Sequence, residues 1–207
     1  MENKTKSIKV IYMITRVAIF GALSIILYMV PGLQFSVPFA PAFLQIHFDE
    51  VPVLLAGFAY GPWTAFAILI LKSLLKLIQD IPATLGVGVM ADFIYGAALI
   101  LPASFIYRYN RTFKGVLSGI LIGLFTNLLF SCIVGLYTIF PLYGIIYGNE
   151  TIVSMFNVFD RNITSLTDIR IGLEFLLPFN LLKNGLVLVM VFLIYKPMRI
   201  IIERIKK

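Results

Sequence analysis

Long apolar runs separated by short polar breaks dominate the chain. The runs predict helices at about residues 10–30, 50–61, 63–79, 86–108, 114–141 and 172–197. Most reach the ~20 residues that carry a helix across the hydrocarbon core of a bilayer. The second run is short, and Gly61-Pro62 separates it only tightly from the third, so the two read either as separate helices or as one kinked span. Pro31, Pro38 and Pro41 mark a loop after the first run. Gln79-Asp80-Ile81-Pro82 is expected to turn the chain before the fourth, and Arg108 to Lys114 forms a basic turn before the fifth. Residues 142–171 hold Glu150, Asp160, Arg161, Asp168 and Arg170 and read as a long polar outer loop. The expected fold is an all-α membrane protein, one transmembrane domain over 1–207 built as a bundle of about six helices.

Composition strengthens this reading. Hydrophobic residues make up 60% of the chain, charged residues 13%, and mean hydropathy is +0.97. Soluble domains are about 45–50% apolar and about 25% charged, so these charges are too few to cover a globular surface. The apolar stretch from Val10 to Val30 follows Lys4, Lys6 and Lys9 but exceeds the ~7–15-residue core of a signal peptide, which makes it a retained first helix. Cys132, the single cysteine, lies in an apolar run with no metal-ligand spacing around it.

The net charge of +7 does not point to nucleic acid, because the cations sit at helix ends. With the N-terminus inside, the inner side carries Lys4, Lys6, Lys9, Arg16, Arg108, Arg111, Lys114, Lys196, Arg199, Arg204, Lys206 and Lys207, and the outer side only Arg161 and Arg170. That asymmetry predicts cytoplasmic N- and C-termini and an even number of spans.

Lys72, Lys76, Asp92 and Lys183 fall within the proposed spans. An ionisable group there is costly and is a functional candidate by default. At about 1.5 Å per residue, Asp92 lies ~9 Å, Lys72 ~12 Å and Lys76 ~5 Å from the outer ends of their helices. Asn180 and Lys183 follow Pro178 near the outer end of the last helix and share one face. Polar groups at one depth imply a water-accessible pocket that opens outward, with an amide and an ammonium suited to carbonyl and ring-nitrogen acceptors. The structural alternative is a Lys183–Asp92 pair that only holds two helices together. His47-Phe48-Asp49-Glu50 is expected to cap or tie down the loop before the second helix rather than bind metal. No phosphate-binding loop, zinc motif or nucleophile elbow is present, and the one histidine lies in a loop, so an enzyme is the weaker class.

Several segments resemble the substrate-binding S-components of energy-coupling-factor (ECF) vitamin transporters, and among them the riboflavin type, over residues 18–200. Ala18-Ile-Phe-Gly-Ala22 is similar to the family's A-x-x-x-A. Pro41-Ala-Phe-Leu-Gln-Ile-His-Phe-Asp-Glu-Val-Pro52 resembles P-x-[FY]-L-K-I-D-F-S-D-[IV]-P. Tyr60-Gly61-Pro62, Lys72-Ser73-Leu74-Leu75 and Gly88-Val-Met-Ala-Asp-Phe93 resemble [FY]-G-P, K-N-[LV]-L and G-x-x-A-N-F. The most specific is Leu177-Pro-Phe-Asn-Leu-Leu-Lys183, similar to L-P-F-N-x-x-K.

The resemblance implies six helices in a prokaryotic cell membrane and a flavin pocket near the outer surface, under the loop between the first two helices. It makes Asn180 and Lys183 the groups that hydrogen-bond the ring, with Asp92, Lys72, Gly135 and Phe48 as further substrate-binding candidates. It places Ala18 and Ala22 against a transmembrane coupling subunit, and it implies two cytoplasmic ATPases as partners, with riboflavin as transported ligand and no cofactor. This chain departs from the pattern at Gly135 and Asp92, where the family carries asparagines, and at Gln45 and His47, where it carries lysine and aspartate. Asn127 compensates for Gly135 only if the alignment slips. These departures leave open another small heterocyclic vitamin or precursor. A non-transporting membrane scaffold is the alternative from a different class.

Overall fold

The computed structural model describes residues 2–30, 32–159 and 162–205. Pro31, Asp160, Arg161, Lys206 and Lys207 lie outside the described residues, as do the side chains of Lys4, Lys6, Lys9, Lys196, Arg199 and Arg204. The orientation argument from those cations therefore rests on the sequence.

The chain is almost wholly helical. Its helices are α1 (Glu2–Met29), α2 (Glu50–Tyr60), α3 (Pro62–Thr84), α4 (Val87–Tyr109), α5 (Phe113–Val134), α6 (Phe140–Tyr147), α7 (Asn149–Asn157) and α8 (Leu177–Ile205). A π-helical stretch at Gly135–Ile139 joins α5 to α6, and another at Ile171–Leu176 leads into α8. Each stretch ends two residues before a proline, Pro141 or Pro178. Proline donates no backbone hydrogen bond and its ring crowds the carbonyl four residues back. A locally wider π turn accommodates both demands without ending the helix.

Among the described residues, four helical segments are long and apolar enough to cross a membrane: Val10–Met29, Val87–Tyr109, Phe113–Tyr147 and Ile171–Tyr195. The 11-residue α2 is shorter but has Val51 to Phe58 wholly buried, packed against α1, α3, α4 and α8. Gly61 separates α2 from α3 at φ 101°, a conformation open chiefly to glycine. Pro62 then begins α3 at its first helical position. Two distinct helices, rather than one kinked span, occupy this region.

The structure corrects two expectations and adds a detail to a third. The turn expected at Gln79–Pro82 does not form there: α3 runs through Pro82 to Thr84 and ends at Leu85 (φ 52°) and Gly86 (φ 85°). The segment 142–171 is not one loop, because α6 continues to Tyr147 and α7 follows at once. Its true loop is pinned by Asn157, whose amide donates to the Ile163 carbonyl (3.0 Å) and accepts from the Ile163 N–H (3.1 Å). There the Arg170 guanidinium donates to Asp168, holding that partly buried carboxyl down at about 2. Finally, the loop between α1 and α2 carries a short antiparallel ladder, β1 (Phe35–Ser36) with β2 (Gln45–Ile46), pairing Phe35 with Ile46.

α4 and α5 form the closest helix pair. A Cβ on Gly119 would stand 2.7 Å from the Ala103 carbonyl oxygen, and one on Gly123 would strike the Leu99 carbonyl oxygen. Glycines at this spacing let two backbones approach in lipid, where close packing drives association. The contact is sealed by Thr126 Oγ1 donating to the Ala98 carbonyl (2.5 Å) and Asn127 Nδ2 donating to the Tyr95 carbonyl (2.7 Å). Two apolar cores result. One joins α2, α3, α4, α5 and α8 around Leu54, Leu69, Leu99 and Val187. The other gathers Val37, Ile46, Phe140, Phe156, Phe175 and Phe179, and so fastens the β1–β2 loop to α6, α7 and the start of α8.

Candidate functional site

Lys72, Lys76 and Asp80 are spaced by four along α3 and therefore share a face. Opposite them stand Asp49 and Glu50 at the start of α2, Asp92 in α4, and Asn180 and Lys183 in α8. Asp49, Glu50 and Lys72 are all buried, at 0%, 1% and 0% exposure. Such burial is tolerable only with matched charges, and the matching is close. Lys72 Nζ lies 2.7 Å from Asp49 Oδ2 and 3.6 Å from Asp92 Oδ2. Lys76 Nζ reaches Asp92 Oδ2 at 2.5 Å and Asp49 Oδ2 at 3.3 Å, and its cation sits 3.7 Å from the centre of the Tyr28 ring. Lys183 Nζ donates to Asp92 Oδ1 (3.1 Å) and Glu50 Oε1 (3.2 Å). The three lysines thus balance the three carboxylates.

This lattice floors a cavity of about 330 Å³. Lys76, Asp92, Asn180 and Lys183 supply its charged and amide end. Tyr28, Leu44, Phe43, Phe140, Tyr143 and Phe179 give it aromatic and apolar walls. Phe43, from the loop between the β-strands, packs on Phe140, Tyr143 and Phe156 with ring centres 5.9–6.3 Å apart and closes one side. His47 also lines the cavity, with Nδ1 3.5 Å from Asp49 and its ring edge-on to Tyr28 at 5.2 Å. The Asn180 amide NH2 donates to the Leu176 carbonyl at 2.9 Å. The volume sits at the small end of ligand pockets, and the mix of apolar wall with a few convergent polar groups is what orients a flat heterocycle.

The sequence-derived candidates separate into two sets. Asn180, Lys183 and Asp92 line the cavity, whereas Lys72, Gly135 and Phe48 are not among its lining residues. Lys72 stands behind Asp49. Phe48 packs toward Phe35, with ring centres 6.2 Å apart, and against the inner core. Gly135 lies in the first π stretch, where an added Cβ would be 2.7 Å from Leu176 Cδ1 and 3.0 Å from the Tyr95 hydroxyl. Asn127 does not replace the missing asparagine, since its amide is spent on the Tyr95 carbonyl and on Asn184 Nδ2, which donates to its Oδ1 (2.6 Å). Ala18 and Ala22 are exposed on α1, while Gly21 beside them is buried against Leu71.

Asp49 and Glu50 were expected to cap or tie down the loop before the second helix, and the ion pairs of Asp49 with Lys72 and Lys76 do tie the end of that loop to α3. Asp49 makes no side-chain capping bond to α2, and both carboxylates face lysines of other helices instead. Their role was detectable from charge arithmetic. Three lysines and one aspartate within the spans leave two cations unmatched, and Asp49-Glu50 are the carboxylates next to a buried run. Asp80, Thr84, Tyr95 and Tyr143 also line the cavity, and no sequence signal set them apart.

A lipid-spanning helical bundle that encloses a small, charge-floored cavity defines a membrane-embedded binding protein for small molecules. Comparison with known proteins places it within that class. The family described as ECF transporter, substrate-specific component, matches residues 12–195, and the chain belongs to this family. It is therefore a multi-pass bacterial membrane protein and a non-enzymatic substrate-binding subunit, of the kind that works with an ECF energising module. It is 27% identical over 190 residues to riboflavin transporter RibU of Staphylococcus aureus (strain TCH60), covering 92% of this chain and 93% of that protein. It is 28% identical over 180 residues to riboflavin transporter FmnP of Bacillus subtilis (strain 168), covering 86% and 88%. The fold is similar to a solved structure described as the S component of a bacterial ECF transporter, with TM-score 0.69 and 24% identity over 96% of this chain and 97% of that one.

Proposed function

We propose that this chain captures riboflavin in the cavity above its lysine–carboxylate lattice and delivers it to the cytoplasm with two ATPases and one transmembrane coupling subunit. The observation that carries the reading is the joint placement of Asn180 and Lys183, from the most specific motif, on the wall of one aromatic-lined cavity. In this reading α1, α2, α3, α4, α5–α6 and α8 are six spans, both termini are cytoplasmic, and the cavity opens outward beneath the β1–β2 loop. Asn180, Lys183 and Asp92 meet the ring's heteroatoms. Lys72, Gly135 and Phe48 act one layer back, through Asp49, Tyr95 and the loop. Ala18 and Ala22 form the surface that meets the coupling subunit.

A second vitamin-like heterocycle is favoured by one observation, the Tyr95 hydroxyl and Leu176 standing where an asparagine at position 135 would extend. Titration of the purified protein with riboflavin, read by quenching of flavin fluorescence, distinguishes the readings. Saturable quenching at micromolar ligand is expected. A folded protein that leaves flavin fluorescence unchanged but binds another heterocycle supports the second reading, and one that binds none supports a scaffold.

A further inference from the structure

The lattice lysines leave one cavity carboxylate unmatched. Asp49, Glu50 and Asp92 each have a lysine within 2.5–3.3 Å, but among the described residues Asp80 forms no ion pair. Asp80 is half-buried and lines the cavity two turns beyond Lys72 and one beyond Lys76, toward the α3–α4 turn. Its Oδ2 accepts a hydrogen bond from Thr84 Oγ1, which itself accepts from the Gly88 N–H at 3.2 Å. Tyr143 approaches from α6. A Cβ on Gly88 would lie 3.1 Å from the Tyr143 hydroxyl and 3.3 and 3.4 Å from the two Asp80 oxygens, so all three oxygens converge over one glycine.

The geometry points to a hydroxyl-binding subsite formed by Asp80, Thr84 and Tyr143, which holds the polyol tail of the ligand and turns away its phosphate ester. The inference rests on the riboflavin reading of the same cavity. Asp80 lies four residues from Lys76, and Gly88 four from Asp92, which sets the subsite ~6 Å along the helices from the charged end. A ring held by Lys183 and Asn180 thus directs its substituent chain toward Asp80. A carboxylate accepts from two neighbouring hydroxyls at once, Thr84 can accept or donate, and Tyr143 can donate to a hydroxyl oxygen. The lattice is electrically balanced, so Asp80 gives this end a net negative charge. A phosphate of about −1.5 to −2 charge brought there meets repulsion and finds no lysine left over. A neutral polyol meets only acceptors and donors.

Three flavins that share the ring separate the contributions: lumiflavin, which has a methyl in place of the polyol, riboflavin, and riboflavin 5′-phosphate. Each is titrated by fluorescence quenching into the purified full chain in detergent, as wild type, Asp80→Asn and Thr84→Val. Wild type should bind riboflavin most tightly and both other flavins more weakly. Asp80→Asn should leave lumiflavin affinity unchanged, weaken riboflavin about tenfold or more, and narrow or reverse the preference for riboflavin over its phosphate. Thr84→Val should shift the riboflavin-to-lumiflavin ratio in the same direction by less. Unchanged ratios in both variants overturn the subsite and leave riboflavin binding intact. Equal loss for all three ligands places Asp80 in the fold or at the ring and also overturns it. No quenching of any flavin by the wild type removes the riboflavin reading and the subsite with it.

Discussion

Single side chains in this protein do two jobs, and substitutions should separate them. Lys183 lines the cavity but also satisfies Glu50 and Asp92. Lys183→Ala strands the buried Glu50 and takes one of three lysines from Asp92, and removing one partner of a buried pair costs about 3–5 kcal/mol. Its thermal unfolding should fall markedly along with ligand binding. Among the described residues Asn180 donates only to the Leu176 carbonyl one turn earlier, so Asn180→Ala should weaken riboflavin about tenfold, the worth of a lost hydrogen bond, with little change in unfolding temperature. Equal thermal losses in the two variants would contradict this division. Gly135 bears on selectivity through its neighbours. Gly135→Asn must displace Leu176 and the Tyr95 hydroxyl, both of which line the cavity, so riboflavin affinity should fall. Tighter binding in a calorimetric titration would show instead that the asparagine finds the ring directly. Asn180, Lys183 and Asp92 were legible because a polar group in an apolar run is conspicuous. Asp49 and Glu50 were legible only through the two cations that the spans leave unmatched, because a carboxylate before a helix otherwise looks like a cap.

Among the elements, α4 and α5 bear the tightest constraint. Gly119 faces the Ala103 backbone with no room for a side chain, so Gly119→Leu should force the helices apart and break the Thr126 and Asn127 cross-links. The expected outcome is poor expression or early thermal aggregation in detergent, compared with Gly185→Leu, where open space surrounds the glycine. Similar melting of the two variants would exclude glycine-mediated contact as the source of stability. Apolar runs made the long helices legible, yet they mislocated the end of α3. Asp80-Ile81-Pro82 has turn composition, yet α3 carries Pro82 inside its last turn, so the proline does not end the helix before it. The actual stop needs left-handed backbone, which Leu85 and Gly86 provide. The extension of the fifth predicted helix past residue 141 to Tyr147 was hidden similarly, because Pro141 reads as a breaker and only the preceding π stretch absorbs it.

At the scale of the whole molecule, the bundle presents two different faces. Most of α1 is exposed, and Ala18 and Ala22 leave a shallow strip along it, flanked by Ile11, Ile14 and Ile26. The cavity lies between the loop that carries β1 and β2, α3, α4, α6 and α8, and α1 reaches it only through Tyr28 at its far end, not through Ala18 or Ala22. Ala18→Leu with Ala22→Leu should therefore leave ligand binding unchanged and abolish uptake by cells that carry the ATPases and coupling subunit, since two isobutyl groups block close helix approach. Uptake at the normal rate by a stably expressed double variant would take this strip out of the mechanism. Everything else turns on whether the charge-floored cavity holds a flavin. The most direct measurement is fluorescence titration of riboflavin against the purified chain, with Asn180→Ala alongside. The account predicts saturable quenching at one site per chain, weakened about tenfold by the substitution. Folded protein that leaves riboflavin fluorescence untouched, or quenching that Asn180→Ala does not alter, would contradict it.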